Sequence, residues 1–340
     1  MRNILIAAAL AACTISGAYA QSTAQLAGAV DVYAGRMQMA GDAQRTSVVN
    51  SGGLTTSWFG VKGSEDLGGG LKANFALSSF FRADTGVQGR FTGDTFFSRE
   101  ASVGLFGGFG SLTLGRGLAP NFLPTVVLNP FGDSFTFSPL MLHKNVPLFN
   151  GTGWAATTPS DTGWSNQATY STPDIGGLRA NLHYQFGEIA GQSGKKNVGV
   201  NALYFSGPMA LGAYYERNQV TNPVPVAFAL GDTRTDWMLG GSYDFTAVKT
   251  FATYGQSKAA ISTTRAKSYS LGLSSPLGSG KILAGLAGTR VVAGNTRNTL
   301  SLGYDYNLSK RTDVYVIAML DRITTFNSGS SLATGIRHRF

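Results

Sequence analysis

Three histidines (His143, His183 and His338) and one cysteine (Cys13) make up the chain's supply of neutral-pH acid–base and thiol groups. A hydrolytic centre needs a nucleophile beside a histidine that a carboxylate or amide orients. Only His183 has such a neighbour, Asn181, on the same face of an extended segment, and no nucleophile accompanies the pair; a lining polar residue is the expected role. His143 stands beside Lys144 in a long irregular stretch, and His338 belongs to the final segment. Three separated histidines, no thiol after Cys13 and no EF-hand loop give no basis for a metal, and no cofactor is expected. Gly68-Gly69-Gly70 reads as a turn, because no phosphate-binding Lys-Ser/Thr pair follows it. What remains is electrostatics. Lysine and arginine number 27 against 18 acids, a formal charge of +9. Fixed cations along a narrow aqueous passage select ions by sign and solutes by size, with no catalysis. Lys62 shares a face with Trp58 and Gly60, opposite Phe59 and Val61, and Arg82 lies on the polar face of its segment. The positive balance is unaccompanied by any nucleic-acid-binding motif, so nucleic acid is not an expected partner.

Such groups need a scaffold, and the composition limits which one. Charged residues are 13% of the 340, about half of the ~25% usual in a soluble domain, while hydrophobic residues reach 43%, far above what a disordered chain contains. Residues 1–20 carry Arg2, an apolar run from Ile4 to Ala12 and the small-residue end Ala18-Tyr19-Ala20, which predicts an export signal cut before Gln21. A competing reading takes Leu10-Ala11-Ala12-Cys13 as a lipoprotein site. Without Cys13 the mature chain has no thiol, so its stability must come from burial and backbone hydrogen bonds.

Beyond residue 20 no stretch approaches the ~18 apolar residues that a spanning helix needs. Segments of about ten residues instead alternate with period two. Leu71, Ala73, Phe75, Leu77 and Phe81 oppose Lys72, Asn74, Ser78 and Arg82. Leu178, Ala180, Leu182, Tyr184 and Phe186 oppose Arg179, Asn181, His183 and Gln185. Tight turns such as 65–70, 107–110, 276–280 and 309–311 alternate with long polar joins such as 83–95, 187–196 and 219–233. Short joins on one rim and long ones on the other predict an up-and-down barrel, all-β and antiparallel, of about sixteen strands in one domain, 21–340. A soluble sandwich shares the alternation but needs more surface charge. A closed barrel leaves no unpaired backbone in hydrocarbon, and aromatics including Tyr184, Phe186, Tyr204, Phe205, Tyr214, Tyr215, Tyr243, Phe245, Tyr304 and Tyr306 suit interfacial girdles.

The chain ends Gly335-Ile336-Arg337-His338-Arg339-Phe340, with Leu332, Ile336, His338 and Phe340 on one face and Arg337 and Arg339 on the other. This ending resembles the trimeric porins of Gram-negative bacteria, as do 59–72, 98–105, 109–116 and Asn129-Pro-Phe-Gly-Asp133. The resemblance implies a sixteen-stranded transmembrane barrel of the outer membrane, a homotrimer, with an inward-folded third external loop. It implies that Phe340 is the address read by the assembly machinery, and that the partners are lipids, lipopolysaccharide, small solutes and anions. Independently of the family, 118–163 is the longest stretch without clean alternation, and a connection of that length is usually functional.

By the family motif Arg99 lines the pore opposite that loop, joined by Lys62 and Arg82; Arg116 lines it or anchors the loop. Trp58 stands where the family often has arginine, and Asn129 and Pro130 where relatives often carry acids, which leaves Asp133 as the loop-tip carboxylate. A passive, anion-preferring channel is therefore expected. The apolar run from Phe122 to Leu142 either packs the loop down or, with Trp58, forms a slide for aromatic or amphipathic acids. An outer-membrane enzyme built on His183 is the rival class.

Overall fold

The computed structural model describes residues 23–145, 162–191, 194–222, 233–260 and 265–340. The predicted export signal, 1–20, lies outside them. The strands are β1 (Thr23–Met37), β2 (Thr46–Ser51), β3 (Trp58–Gly68), β4 (Leu71–Arg82), β5 (Val87–Gln88), β6 (Glu100–Gly107) and β7 (Gly110–Leu118). They continue as β8 (Gly163–Ser171), β9 (Leu178–Phe186), β10 (Lys196–Ser206), β11 (Met209–Asn218), β12 (Arg234–Asp244) and β13 (Lys249–Ala259). The last are β14 (Arg265–Leu277), β15 (Gly280–Val291), β16 (Thr296–Asn307), β17 (Thr312–Ile323) and β18 (Gly329–Arg339). Among the described residues, two short helices, α1 (Phe122–Val127) and α2 (Pro139–Lys144), lie in the join after β7.

All pairings are antiparallel between neighbours, and β1 closes on β18 from Ala29↔Arg339 to Arg36↔Leu332. Both β2 and β3 pair with β1, one with its second half and the other with its first, so together they make one barrel strand broken at 52–57. The two-residue β5 pairs only with the end of β4. The result is a closed sixteen-stranded barrel. At the seam Gly28 and Phe340 exchange two backbone hydrogen bonds of 3.1 Å. The Phe340 ring covers Gly28, where a Cβ would fall 2.5 Å from its Cζ, so only glycine fits.

Burial runs opposite to that of a water-soluble protein. Leu300, Leu302, Leu332 and Ile336 are about half exposed, whereas Ser301, Asp305, Asp313 and Arg337 on the alternate positions are buried. Such an inversion fits a barrel whose outer solvent is hydrocarbon. Exposed Tyr243, Phe245 and Tyr306 mark the short-turn end, and Tyr215, Tyr254 and Tyr269 the other. Tyr214 departs from the girdle expectation: as Tyr215's neighbour it points to the opposite side, where it is 3% exposed and its ring lies 5.7 Å from Lys144 Nζ.

Candidate pore constriction

The second strand breaks at 52–57 because a buried carboxylate gathers that segment. Asp31 accepts hydrogen bonds from the backbone N–H groups of Gly53 (3.1 Å), Leu54 (2.8 Å) and Thr55 (2.8 Å) and from the Tyr315 hydroxyl (2.5 Å). The segment so held meets the join after β7. The hydroxyls of Ser134 and Thr136 donate to the carbonyls of Gly53 and Gly52, and Thr55 Oγ1 donates to Asp133 Oδ1 at 3.0 Å.

Asn129 ties the tip of the join internally. Its amide donates to the carbonyls of Thr125 and Gly132, and its Oδ1 accepts from Phe131 N and Ser138 Oγ. The side chain at the position where an acid was looked for is thus a buried knot within the join. Leu128, Phe131, Phe137, Leu140, Met141 and Leu142 are all buried, so the apolar run packs the join down. Its contacts are with the row opposite the exposed leucines, where glycines make room. A Cβ at Gly272 would lie 2.6 Å from Pro130 Cδ, at Gly212 3.1 Å from Leu128 Cδ1, and at Gly285 3.2 Å from Phe131 Cε2.

The far end of the join is fastened by charge. Lys144 Nζ lies 2.5 Å from Asp236 Oδ1, both side chains at most 1% exposed, and Ser257 Oγ donates to the same oxygen at 2.9 Å. Arg297 grips Asp321 through Nε and Nη2, each at 2.9 Å, and lies 3.4 Å from the Leu142 carbonyl.

His143 lies between Thr289 Oγ1 (2.8 Å from Nδ1) and Thr299 Oγ1 (2.9 Å from Nε2). Because Thr299 donates its proton to Asp321 at 2.6 Å, it can only accept from His143, which assigns the proton to Nε2. Burial, with Arg297 nearby, depresses the His143 pKa from 6.5 to about 3. The folded protein therefore keeps this ring neutral while the unfolded chain takes up a proton below pH 6.5, so the stabilisation present above 6.5 drains away as pH falls toward 3. Urea midpoints in detergent should drop between pH 7 and 4 more steeply for the native sequence than for His143→Gln; parallel drops would exclude the histidine as the cause.

Between the join's tip and the wall lies a cavity of about 580 Å3. Its lining includes Thr55, Trp58, Asp133, Lys249, Lys281, Asp305, Arg337 and Arg339. Arg337 reaches Asp313 through Nε at 3.1 Å, Asp305 through Nη2 at 3.5 Å and Thr55 Oγ1 at 2.8 Å. Arg339 pairs with Asp313 at 2.9 Å with its side chain 45% exposed, and Lys281 stands 3.8 Å from Asp305 at 48%. Lys249 has no ion pair among the described residues, and its Nζ lies over the Phe251 ring. With Asp313 counted, cations still outnumber carboxylates. Burial pushes the Asp133 carboxyl up from its ordinary pKa, opposed by the Thr55 hydroxyl and by Arg337 and Arg99.

The six residues read from sequence are not one cluster. Arg99 stacks on the Trp58 indole, Cζ 3.9 Å from the ring centre, so the tryptophan that replaces an expected arginine holds a cation beside the cavity. Asp133 and Trp58 line that cavity together. Lys62 lines a separate one of about 440 Å3 with Glu100 and Asn74. Arg82 ends β4 against β5 and joins neither. Arg116 is 7% exposed and donates to the Ser98 carbonyl (2.7 Å), the Gly163 carbonyl (3.3 Å) and Ser165 Oγ (3.0 Å), which is the geometry of a tie across the two ends of the join.

Lys249, Lys281, Arg337 and Arg339 were not singled out from sequence. Their signal was phase: each occupies the position opposite the exposed apolar row of its strand. His183 is surrounded by Gln167, Thr169 and Asn201 at 3.4 Å, all amides or hydroxyls, and His338 bonds Thr312 on the outer face.

Comparison with known proteins agrees with this architecture. The family model of Gram-negative porins matches residues 7–324. The outer membrane porin protein 32 of Delftia acidovorans is 30% identical over 330 residues, 93% of this chain and 88% of the relative. An outer membrane porin of Bordetella pertussis is 26% identical over the full length of both. Among solved structures, the anion-selective porin from Comamonas acidovorans superposes with a TM-score of 0.79 at 26% identity, covering 94% of this chain and all of that one. A loop-deleted OmpT of Vibrio cholerae shares the fold at a TM-score of 0.68 and 16% identity, covering 94% and 99%. A closed barrel with apolar residues outside and charge inside, matched along nearly its whole length, makes this chain a member of the Gram-negative porin family, a passive outer-membrane channel and not an enzyme.

Proposed function

We propose that this channel prefers anions, and that the join after β7 crosses the barrel interior as its third external loop and sets the width of the pore. The observation that carries the reading is the excess of cations over carboxylates in the cavity between loop tip and wall, with Arg99 stacked beside it. The anion selectivity of the Comamonas relative supports it. In this reading Lys249, Lys281, Arg339 and Arg99 attract the permeating ion, Asp133 is the opposing acid at the loop's tip, Arg337 holds the loop through Thr55, and Arg116 fastens the loop's base. Lys62 and Arg82 contribute to the field of the lumen from outside the constriction, Lys62 partly offset by Glu100. The working unit is a homotrimer, exported by removal of residues 1–20 and inserted by assembly machinery that reads the Phe340 strand.

Reversal potential across a planar bilayer in a salt gradient tests the selectivity. A unit charge 8 Å away acts with about 0.5 kcal/mol in water-like dielectric, so Lys249→Glu with Lys281→Glu should move the anion-to-cation permeability ratio about tenfold toward cations at low salt, and less at high salt. A native channel that already prefers cations would sink the proposal.

A further inference from the structure

The wall that carries Lys62 holds a second recess, of about 440 Å3, apart from the cavity at the loop tip. Trp58, Gly60 and Lys62 follow one another along the inward side of β3, so Lys62 lies two inward positions nearer the short-turn end than the tryptophan of the first cavity. Register fixes what stands beside it. Lys62 is opposite Ala76, which is opposite Ser102, while Gly60, Ser78 and Glu100 form the next row. Lys62 and Glu100 are therefore two strands and two residues apart, a backbone separation of about 12 Å. The inward side chains of β4 between them, Ala76 and Ser78, are small and leave the space open. Among the described residues no ion pair joins Lys62 to Glu100, and Lys62 has no polar partner.

A cation and an anion thus line one recess without meeting, and the groups around them keep both available. The Ser102 hydroxyl donates to Glu100 Oε1 at 3.1 Å, which steadies the carboxylate and leaves its other oxygen without a partner among the described residues. Arg99, its neighbour in the chain, does not neutralise it by pairing, because the guanidinium is stacked on Trp58. The Ser64 hydroxyl donates to Asn74 Oδ1 at 2.8 Å, so that amide's acceptor is occupied and its N–H groups remain as donors, one strand across from Lys62. The recess therefore presents an ammonium and amide donors at one end and a carboxylate at the other. A simple anion is attracted by the first end and repelled by the second, and a simple cation the reverse. A molecule that carries its own carboxylate and ammonium close together meets both ends with charge-assisted hydrogen bonds. We propose that this recess is a subsite for small zwitterions of the α-amino acid class, with the solute carboxylate on Lys62 and Asn74 and its ammonium on Glu100. It gives solutes of no net charge, which the cations of the first cavity do not draw in, a place to bind beside the pore. The inference rests on the channel reading and adds a solute class to it.

Alanine and its uncharged isomer lactamide contain the same atoms, so uptake of the two labelled solutes into proteoliposomes, less that of protein-free vesicles, separates charge from size. At low concentration alanine should enter about fivefold faster than lactamide, the size of one exposed charge contact, and its rate should saturate where that of lactamide stays linear. The double variant Lys62→Met with Glu100→Gln leaves the net charge as it was and should bring the two rates together. Exchanging the charges, Lys62→Glu with Glu100→Lys, should restore part of the advantage, because a zwitterion can turn round. Equal rates in the native chain, a neutralised double variant that keeps the native advantage, or the same loss from Arg82→Gln, which changes a cation outside the recess, would each overturn the inference. If neither double variant folds, the comparison of alanine with lactamide on the native chain decides alone. Chloride conductance of the same preparation tests the channel reading separately: a conducting channel with no preference for alanine overturns the subsite and leaves the channel standing.

Discussion

Asp31→Ala is expected to be among the most destabilising single changes in this barrel, by about 4 kcal/mol, because it leaves three buried backbone N–H groups without an acceptor at ~1–3 kcal/mol each. The damage should not stay at Asp31. Segment 52–57 carries Thr55, which bridges Asp133 on the loop tip and Arg337 on the wall, and it supplies the carbonyls that receive Ser134 and Thr136. Loss of the clasp should therefore lower the urea midpoint and also raise open-channel current fluctuations as the tip loosens. Asp31→Asn keeps one acceptor oxygen but presents an N–H to donors, and should fall between the two. An alanine variant with the native midpoint and a quiet open channel would show that residues 53–55 are held by other means.

Asp236→Ala should cost about 3–5 kcal/mol, the penalty for leaving a buried charge without its partner. Here Lys144 loses its buried acid and Arg234 one of its acids, with Glu216 the nearby acid that remains. Since Lys144 ends α2, its release frees the far end of the loop, and conductance should rise with the loss of stability. The double variant Lys144→Met with Asp236→Leu removes both members of the tightest pair and should recover part of the stability, because an apolar pair of similar size does not carry the desolvation cost of the ions. A double variant worse than Asp236→Ala alone would mean that the pair contributes more than the absence of a lone charge.

Much of this was legible because a barrel strand is read locally. Period-two alternation assigns each residue a side without knowledge of its neighbours, so Leu300 and Leu302 against Ser301, or Ile336 against Arg337, could be sorted from sequence. The strands, their antiparallel order, the closure at the Phe340 strand and the oily exterior follow from that sorting. Tyr214, adjacent to Tyr215 and so of opposite phase, shows that an aromatic suits the girdle only when it is on the outward side. It is aromatic and near a strand end, and its side of the sheet sends it under the loop.

The cavity between the join after β7 and the wall was less legible because it depends on distances between residues far apart in the chain. Lys62, Arg82 and Arg99 share a polar face and still part company, since register and the break at 52–57 decide which of them reaches the loop tip. Arg116, which the sequence leaves between lining the pore and anchoring the loop, is in the folded chain a tie between Ser98 and Gly163. Asp31 meets Tyr315 across 284 positions, and His143 meets Thr289 and Thr299 across 146 and 156. By itself the sequence determined the strands, their faces and the medium around them, because alternation is a property of adjacent residues. Only the tertiary structure decided which charges stand free in the cavity and which are used as fastenings, because pairing depends on the closing of the ring and on where the join after β7 comes to rest.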